Sequence, residues 1–177
     1  MTKSLPLFVT TLLAFAAMPA AADEKVSAIL VGYNEVPSIS TAASGSFRAE
    51  ISRDGQFIDY ELSYRGLEGD VQQAHIHLGQ KHTLGGVSAF LCRTTQTVVA
   101  PTCPPSTATG VTVSGTIRSS EVVGPAGQLL APGEIAELIA AIRAGAAYAN
   151  VHTSAVPSGE IRGQIRRGNR GRHDRDD

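Results

Sequence analysis

Tryptophan is absent from this chain, and aromatic residues make up only 5% of it. A hydrophobic core therefore has to be built from Val, Ile, Leu and Ala. No excess of one charge is present either, since the formal net charge is −1 at pH 7. That excludes the basic stripe expected of a nucleic-acid binder. There is no tandem repeat, no glycine cluster that follows a strand and opens a helix to cradle phosphate, and no G-x-S-x-G elbow for a serine nucleophile. Beyond the N-terminus no apolar run approaches the roughly 20 residues a membrane-spanning helix needs.

The N-terminus itself reads as an export leader. Lys3 supplies a positive start, Leu5 to Ala17 is largely apolar, and Ala20 and Ala22 fit the small-x-small cleavage rule. Residues 1–22 are expected to be removed, with a mature chain from Asp23 that is periplasmic or secreted and has no remaining membrane span. An uncleaved anchor is the competing reading, and the short apolar run counts against it. What remains, roughly 150 residues, suits one domain, placed at 23–167. After Ile165 no apolar position follows, and residues 168–177, rich in Arg and Asp, read as a disordered tail.

Cysteine is scarce: Cys92 and Cys103 are the only two. In an exported chain an even count points to a disulfide. Such a bridge closes a loop of about a dozen residues, worth roughly 3 kcal/mol on the chain-entropy account. A cysteine metal site is disfavoured because the C-x-x-C spacing is missing.

What is present is short β-strands. Val26–Val31, Ser46–Ser52, Phe57–Tyr64, Val71–Leu78, Val87–Cys92, Gly110–Ile117, Ala147–His152 and Glu160–Arg166 are apolar or alternating segments separated by Gly, Pro and Asp turns. Asp54-Gly55 marks a hairpin. One segment changes period. Ile135, Leu138, Ile139 and Ile142 make a helical stripe near 132–144, with Gly145 placed to end it. The expected fold is all-β, an immunoglobulin-like β-sandwich or barrel of about eight strands with one short helix.

Two strand segments carry chemistry. In Ala74-His75-Ile76-His77-Leu78, His75 and His77 share a face, because alternate side chains of a strand do. Tyr148, Asn150 and His152 share a face in the late strand. If the two strands are neighbours, His75, His77 and His152 converge, and neutral imidazoles suit copper or zinc. Asn150 is a candidate for orienting a ring, and Glu160 or His82 for completing the site. The competing reading makes these buried, hydrogen-bonded histidines that fix strand register. Glu160, Arg162 and Gln164 are expected on a solvated face, where an exposed ion pair is worth at most about 1 kcal/mol; the competing reading has Arg162 anchoring a carboxylate near the histidines.

Ala-His-Ile-His-Leu-Gly (74–79), Gly-Gly-Val-x-x-Phe-Leu-Cys (85–92), the Gly-x-Val strand and Ile-Arg-Ala-Gly helix end within 110–145, and Asn-Val-His-Thr followed by Gly-Glu-Ile-Arg-Gly-Gln-Ile within 147–165 together resemble the CHRD domain. That domain is named after chordin and also occurs singly in bacterial exported proteins; the likeness spans Lys25 to Arg167. The resemblance implies an immunoglobulin-like β fold and no established enzymatic activity. Chordin antagonises bone morphogenetic proteins mainly through separate cysteine-rich modules, which this chain lacks, so growth-factor binding does not carry over.

The functional expectation is an exported binding module holding copper or zinc on three histidines. The alternative is a metal-free module that binds an extracellular protein, and a mononuclear metalloenzyme ranks last. Copper–zinc superoxide dismutase also places an H-x-H strand on such a fold, but this chain lacks the further ligands of a bridged two-metal site, and fold analogy alone does not give function.

Overall fold

The structure is a computed structural model that describes residues 23–95 and 99–168. The leader at 1–22 lies outside the described residues, as does all of the expected tail except Gly168. Nine strands form one antiparallel sheet: β1 (Glu24–Val31), β2 (Ser44–Ile51), β3 (Ile58–Arg65), β4 (Val71–Leu78), β5 (Gly86–Arg93), β6 (Val111–Ile117), β7 (Ala147–Thr153), β8 (Ile161–Gln164) and β9 (Arg166–Arg167). Their order is β5-β4-β7-β8-β1-β2-β3-β6, with β9 on β1. The two end strands come back towards each other, and an isolated bridge between Ala89 and Val122 spans part of the seam. The all-β expectation holds, in the form of a nearly closed barrel.

Alternation builds the barrel interior. Phe47, Ala49 and Ile51 of β2 and Ile58, Tyr60, Leu62 and Tyr64 of β3 are buried, while the residues between them face outward. Each fully buried large apolar side chain contributes about 1.5–3 kcal/mol, so this alternation fixes the pairing register. The turn joining β2 to β3 is closed by the Ser52 hydroxyl, which accepts from the amides of Gln56 and Phe57, both at 3.0 Å. Gly55 sits there at φ +69°, a conformation open to glycine without a Cβ clash.

The helical stripe forms α1 (Ile135–Arg143), and Ile135, Leu138, Ile139 and Ile142 are its buried residues. Gly145 follows at φ +69°. The helix lies against one end of the barrel. Ile139 approaches Gly55, and Arg143 bonds Glu24 of β1 at 2.8 Å. Cys92 and Cys103 form a disulfide with Cα atoms 4.9 Å apart, and both are buried. It ties the edge strand β5 to the segment that leads to β6.

The alternation stops at β4 and β7. All seven residues of β7 are buried, as are Ala74 to His77 of β4. Ala74, Ile76, Ala149 and Val151 fill the barrel. The other face of these strands points outward but is covered by the turn at Gly32–Asn34 with Glu35, by the loop from Gly79 to Gly85 and by the loop through Pro157. That covered outer face is where the polar residues converge.

Candidate metal centre

Antiparallel pairing of β4 with β7 sets His75 opposite Asn150, His77 opposite Tyr148 and Gln73 opposite His152. All the rings therefore project from one face. One ligand atom from each of His75, His77 and His152 lies within 4.8 Å of the others. Ring centroids are 4.7 Å apart for His75 and His152, 5.2 Å for His75 and His77, and 5.9 Å for His77 and His152. The three side chains are only 3%, 7% and 7% exposed.

The hydrogen bonds define which nitrogens are free. A carbonyl oxygen only accepts, so a ring nitrogen bonded to it must carry the proton. Nδ1 of His77 donates to the carbonyl of Gly85 at 3.0 Å, and Nδ1 of His152 donates to the carbonyl of Pro157 at 3.0 Å. In each neutral ring Nε2 is then left with a lone pair. Nδ1 of His75 stands 3.1 Å from Nε2 of His152. Nε2 of His75 and Nε2 of His77 are buried with no hydrogen-bond partner among the described residues. Buried polar atoms are nearly always paired, so two orphans in one cluster of imidazoles call for an explanation.

Burial also keeps the rings neutral. Desolvation, with the neighbouring His152, His77 and Arg93 charges adding to it, holds His75 down to about 2. Desolvation brings His77 down to about 4 against the Gly85 bond, and lowers His152 as well. Lone pairs are therefore available at neutral pH without competition from a proton.

Two bulges in β5 complete the face. The register against β4 shifts between Ala74 and His75 and again between Ile76 and His77. As a result Phe90 and Val87, three positions apart, lie opposite His75 and His77. The Phe90 ring meets His75 edge-on, with centroids 4.5 Å apart. Bulges commonly re-aim side chains in this way.

On the other flank lies a network that the strand pattern did not announce. Asn150 Nδ2 donates to Glu35 Oε1 at 2.5 Å and to the Ile161 carbonyl at 3.2 Å. Burial raises the Glu35 carboxyl to about 7, against the Arg162 charge and the Asn150 bond that favour ionisation. Arg162 is 2% exposed, which corrects the expectation of a solvated face: β8 turns this side chain onto the covered side of the sheet. Its guanidinium lies 3.3 Å over the Tyr148 ring, and Nη2 donates to the Gln80 carbonyl at 3.0 Å. Desolvation lowers its pKa although Tyr148 and Glu35 act the other way.

The remaining sequence candidates lie elsewhere. Glu160 is fully buried but occupied: it accepts from Thr41 Oγ1 at 3.1 Å, the Glu68 amide at 2.9 Å and Thr153 Oγ1 at 2.7 Å. It anchors loops and is not among the clustered ligand atoms. His82 is exposed on the loop after β4, at φ +65°, and is also outside the cluster. Asn150 is next to the site, but its two bonds go to Glu35 and Ile161 and not to a ring. Of the residues the pattern did not reveal, Gly85 and Pro157 act through backbone carbonyls, and Glu35 lies in an irregular turn.

The family model of the CHRD domain matches residues 26–165. The chain belongs to the CHRD domain family. No curated protein sequence matches it, and no solved structure does.

Proposed function

We propose that this protein is an exported CHRD-domain binding module that holds one copper or zinc ion on His75, His77 and His152. The observation that carries this reading is the pair of orphaned, buried Nε2 atoms in a cluster of three neutral imidazoles. Histidines kept only to fix strand register would be expected to have their buried nitrogens bonded. Here two rings are each anchored through Nδ1 by a backbone carbonyl, the usual outer arrangement of a metal-bound histidine. Three nitrogen donors, without thiolate or carboxylate, suit copper or zinc, and copper(II) is favoured where both are available. Such a site leaves a fourth position for water or a small ligand.

Export is supported by the disulfide, which persists in oxidising compartments. The residue pattern at 1–22 is also that of a cleaved leader. No helix among the described residues is long and apolar enough to cross a membrane.

The test is metal analysis of the mature protein recovered from the periplasm or medium. Close to one equivalent of copper or zinc, taken up again after chelation, is expected. Below about a tenth of an equivalent at neutral pH, with no uptake of added metal, the site reading fails, since the lone pairs are available there.

A further inference from the structure

The His77 ring is held twice by one residue. Tyr148, from the neighbouring strand β7, stacks on it with centroids 4.7 Å apart and planes at 0°. The Tyr148 hydroxyl also accepts from the Gly85 amide at 3.2 Å, and the carbonyl of that same Gly85 accepts from His77 Nδ1. Tyr148 thus fixes both the plane of the imidazole and the backbone group that sets its tautomer. Only glycine fits at position 85, because a Cβ built there would stand 1.8 Å from the Leu78 carbonyl oxygen.

Tyr148 is itself clamped. Arg162, from β8 on its far side in the strand order, lies over its ring, and a guanidinium stacks on an aromatic face as an ammonium cannot. The Arg162 Nη2 bond to the Gln80 carbonyl ties the same guanidinium to the start of the covering loop, while Tyr148 and His77 both hold its end at Gly85. Three successive strands therefore supply a layered stack of imidazole, phenol and guanidinium. Two atoms of the stack lack a hydrogen-bond partner among the described residues, Nε2 of His77 and Nη1 of Arg162, and only the first has a lone pair to offer an ion.

We infer that Tyr148 and Arg162 are positioning residues for the metal centre, holding the His77 imidazole at the angle from which its Nε2 can ligate. This rests on the metal reading given above. A donor held within a few tenths of an ångström and 10–20° binds without the cost of ordering a free side chain. Removing the brace leaves all the ligands in place but makes one of them mobile. Affinity should then fall, and the ligand field at the metal should change, without loss of the fold.

The experiment uses the full mature chain with Tyr148→Leu, Tyr148→Phe and Arg162→Lys, titrated with Cu(II) against a competing chelator. Electron paramagnetic resonance of each complex and circular dichroism of each apo protein accompany it. Tyr148→Leu is expected to weaken Cu(II) binding at least tenfold and to shift the parallel hyperfine splitting. Tyr148→Phe keeps the stack and loses only the Gly85 bond, so its loss should be smaller, about threefold. Arg162→Lys should fall between the two. If Tyr148→Leu does not fold, the other two variants decide. Folded variants that bind as the wild type does, with unchanged spectra, overturn the brace alone. A wild type that binds no Cu(II) overturns the metal reading, and this inference with it.

Discussion

His75 Nδ1 and His152 Nε2 face each other at 3.1 Å, though 77 positions separate them in the chain. Two ligands bound to zinc at 2.0–2.1 Å with tetrahedral angles stand about 3.3 Å apart. The pair therefore has nearly the spacing of two ligands, with a shared proton in the place where an ion would act. His152 Nε2 already has its lone pair, and a neutral His75 ligates through whichever ring nitrogen its tautomer leaves unprotonated, so binding at neutral pH breaks this hydrogen bond without net proton release.

The first prediction follows from that pair. Metal at a hundred times its dissociation constant should stabilise the wild type by about 2.7 kcal/mol. His152→Ala should abolish that shift, read as the rise in Tm on adding Cu(II) or Zn(II). In the apo protein the same change strands His75 Nδ1 in a buried setting, at a cost of about 1–3 kcal/mol. A metal-induced rise that persists in His152→Ala would remove this residue from the site.

Acidification gives the second. His75, His77 and His152 all have folded-state values below their ordinary one, with His75 near 2 and His77 near 4. The unfolded chain, with histidines near 6.5, binds more protons than the native state below that value, so these residues destabilise the apo fold as pH falls. Glu35 has the opposite sign. Its carboxyl is raised to about 7, so the native state keeps a proton that the unfolded state gives up between about 4.3 and 7. Near pH 5.5 His75 and His77 leave the native state about two protons short and Glu35 returns about one, a slope of about 1.4 kcal/mol per pH unit to which His152 adds in the same direction. Urea midpoints of the apo protein should drop between pH 6.5 and 5, and Glu35→Gln should steepen the fall. A flat profile over that window contradicts neutral burial of the histidines.

The fold was readable because most strands obey alternation. Phe47, Ala49, Ile51 and their partners on β3 follow period two, and Ile135, Leu138, Ile139 and Ile142 follow the helical period, so a single physical rule locates each. His75, His77 and His152 were readable for the same reason, since strand geometry assigns a face before any partner is known. Phe90 was not, because two bulges in β5 put residues three apart on one side. Arg162 misled because its strand alternates as a solvated edge would. Only the loops packed over β7 and β8 make that face interior, and loop placement leaves no periodic mark. Glu35 lacked any signal, as its role comes from a turn that closes over Asn150.

The disulfide gives the third prediction. Cys92 and Cys103 are 11 positions apart, a loop whose closure is worth about 3 kcal/mol. Cys92→Ala with Cys103→Ala should lower the unfolding free energy by that order, measured in urea. Reductant should then have no further effect on the variant while it destabilises the wild type. Equal stability of the two proteins under oxidising conditions would show that the bridge adds nothing to the fold.

The last prediction concerns Gly159, which lies against the polar network beside the histidines. Its φ is +123°, and a Cβ there would stand 2.6 Å from Asn150 Nδ2 and 2.9 Å from Glu35 Oε1. Alanine at this position has two faults: a backbone conformation that costs about 1–3 kcal/mol without glycine, and a methyl group driven into a hydrogen bond that has no slack. Gly127 is the internal control, because it has ordinary φ and nothing within 4 Å of an added Cβ. Gly159→Ala should lose at least about 2 kcal/mol, while Gly127→Ala stays within about 0.5 kcal/mol of the wild type. The loss should be mainly one of fold stability, since Gly159 meets Asn150 and Glu35, and neither bonds an imidazole. A Gly159→Ala protein as stable as Gly127→Ala would mean that Glu35 and Asn150 have room to move apart. The covered face would then be looser than these distances describe.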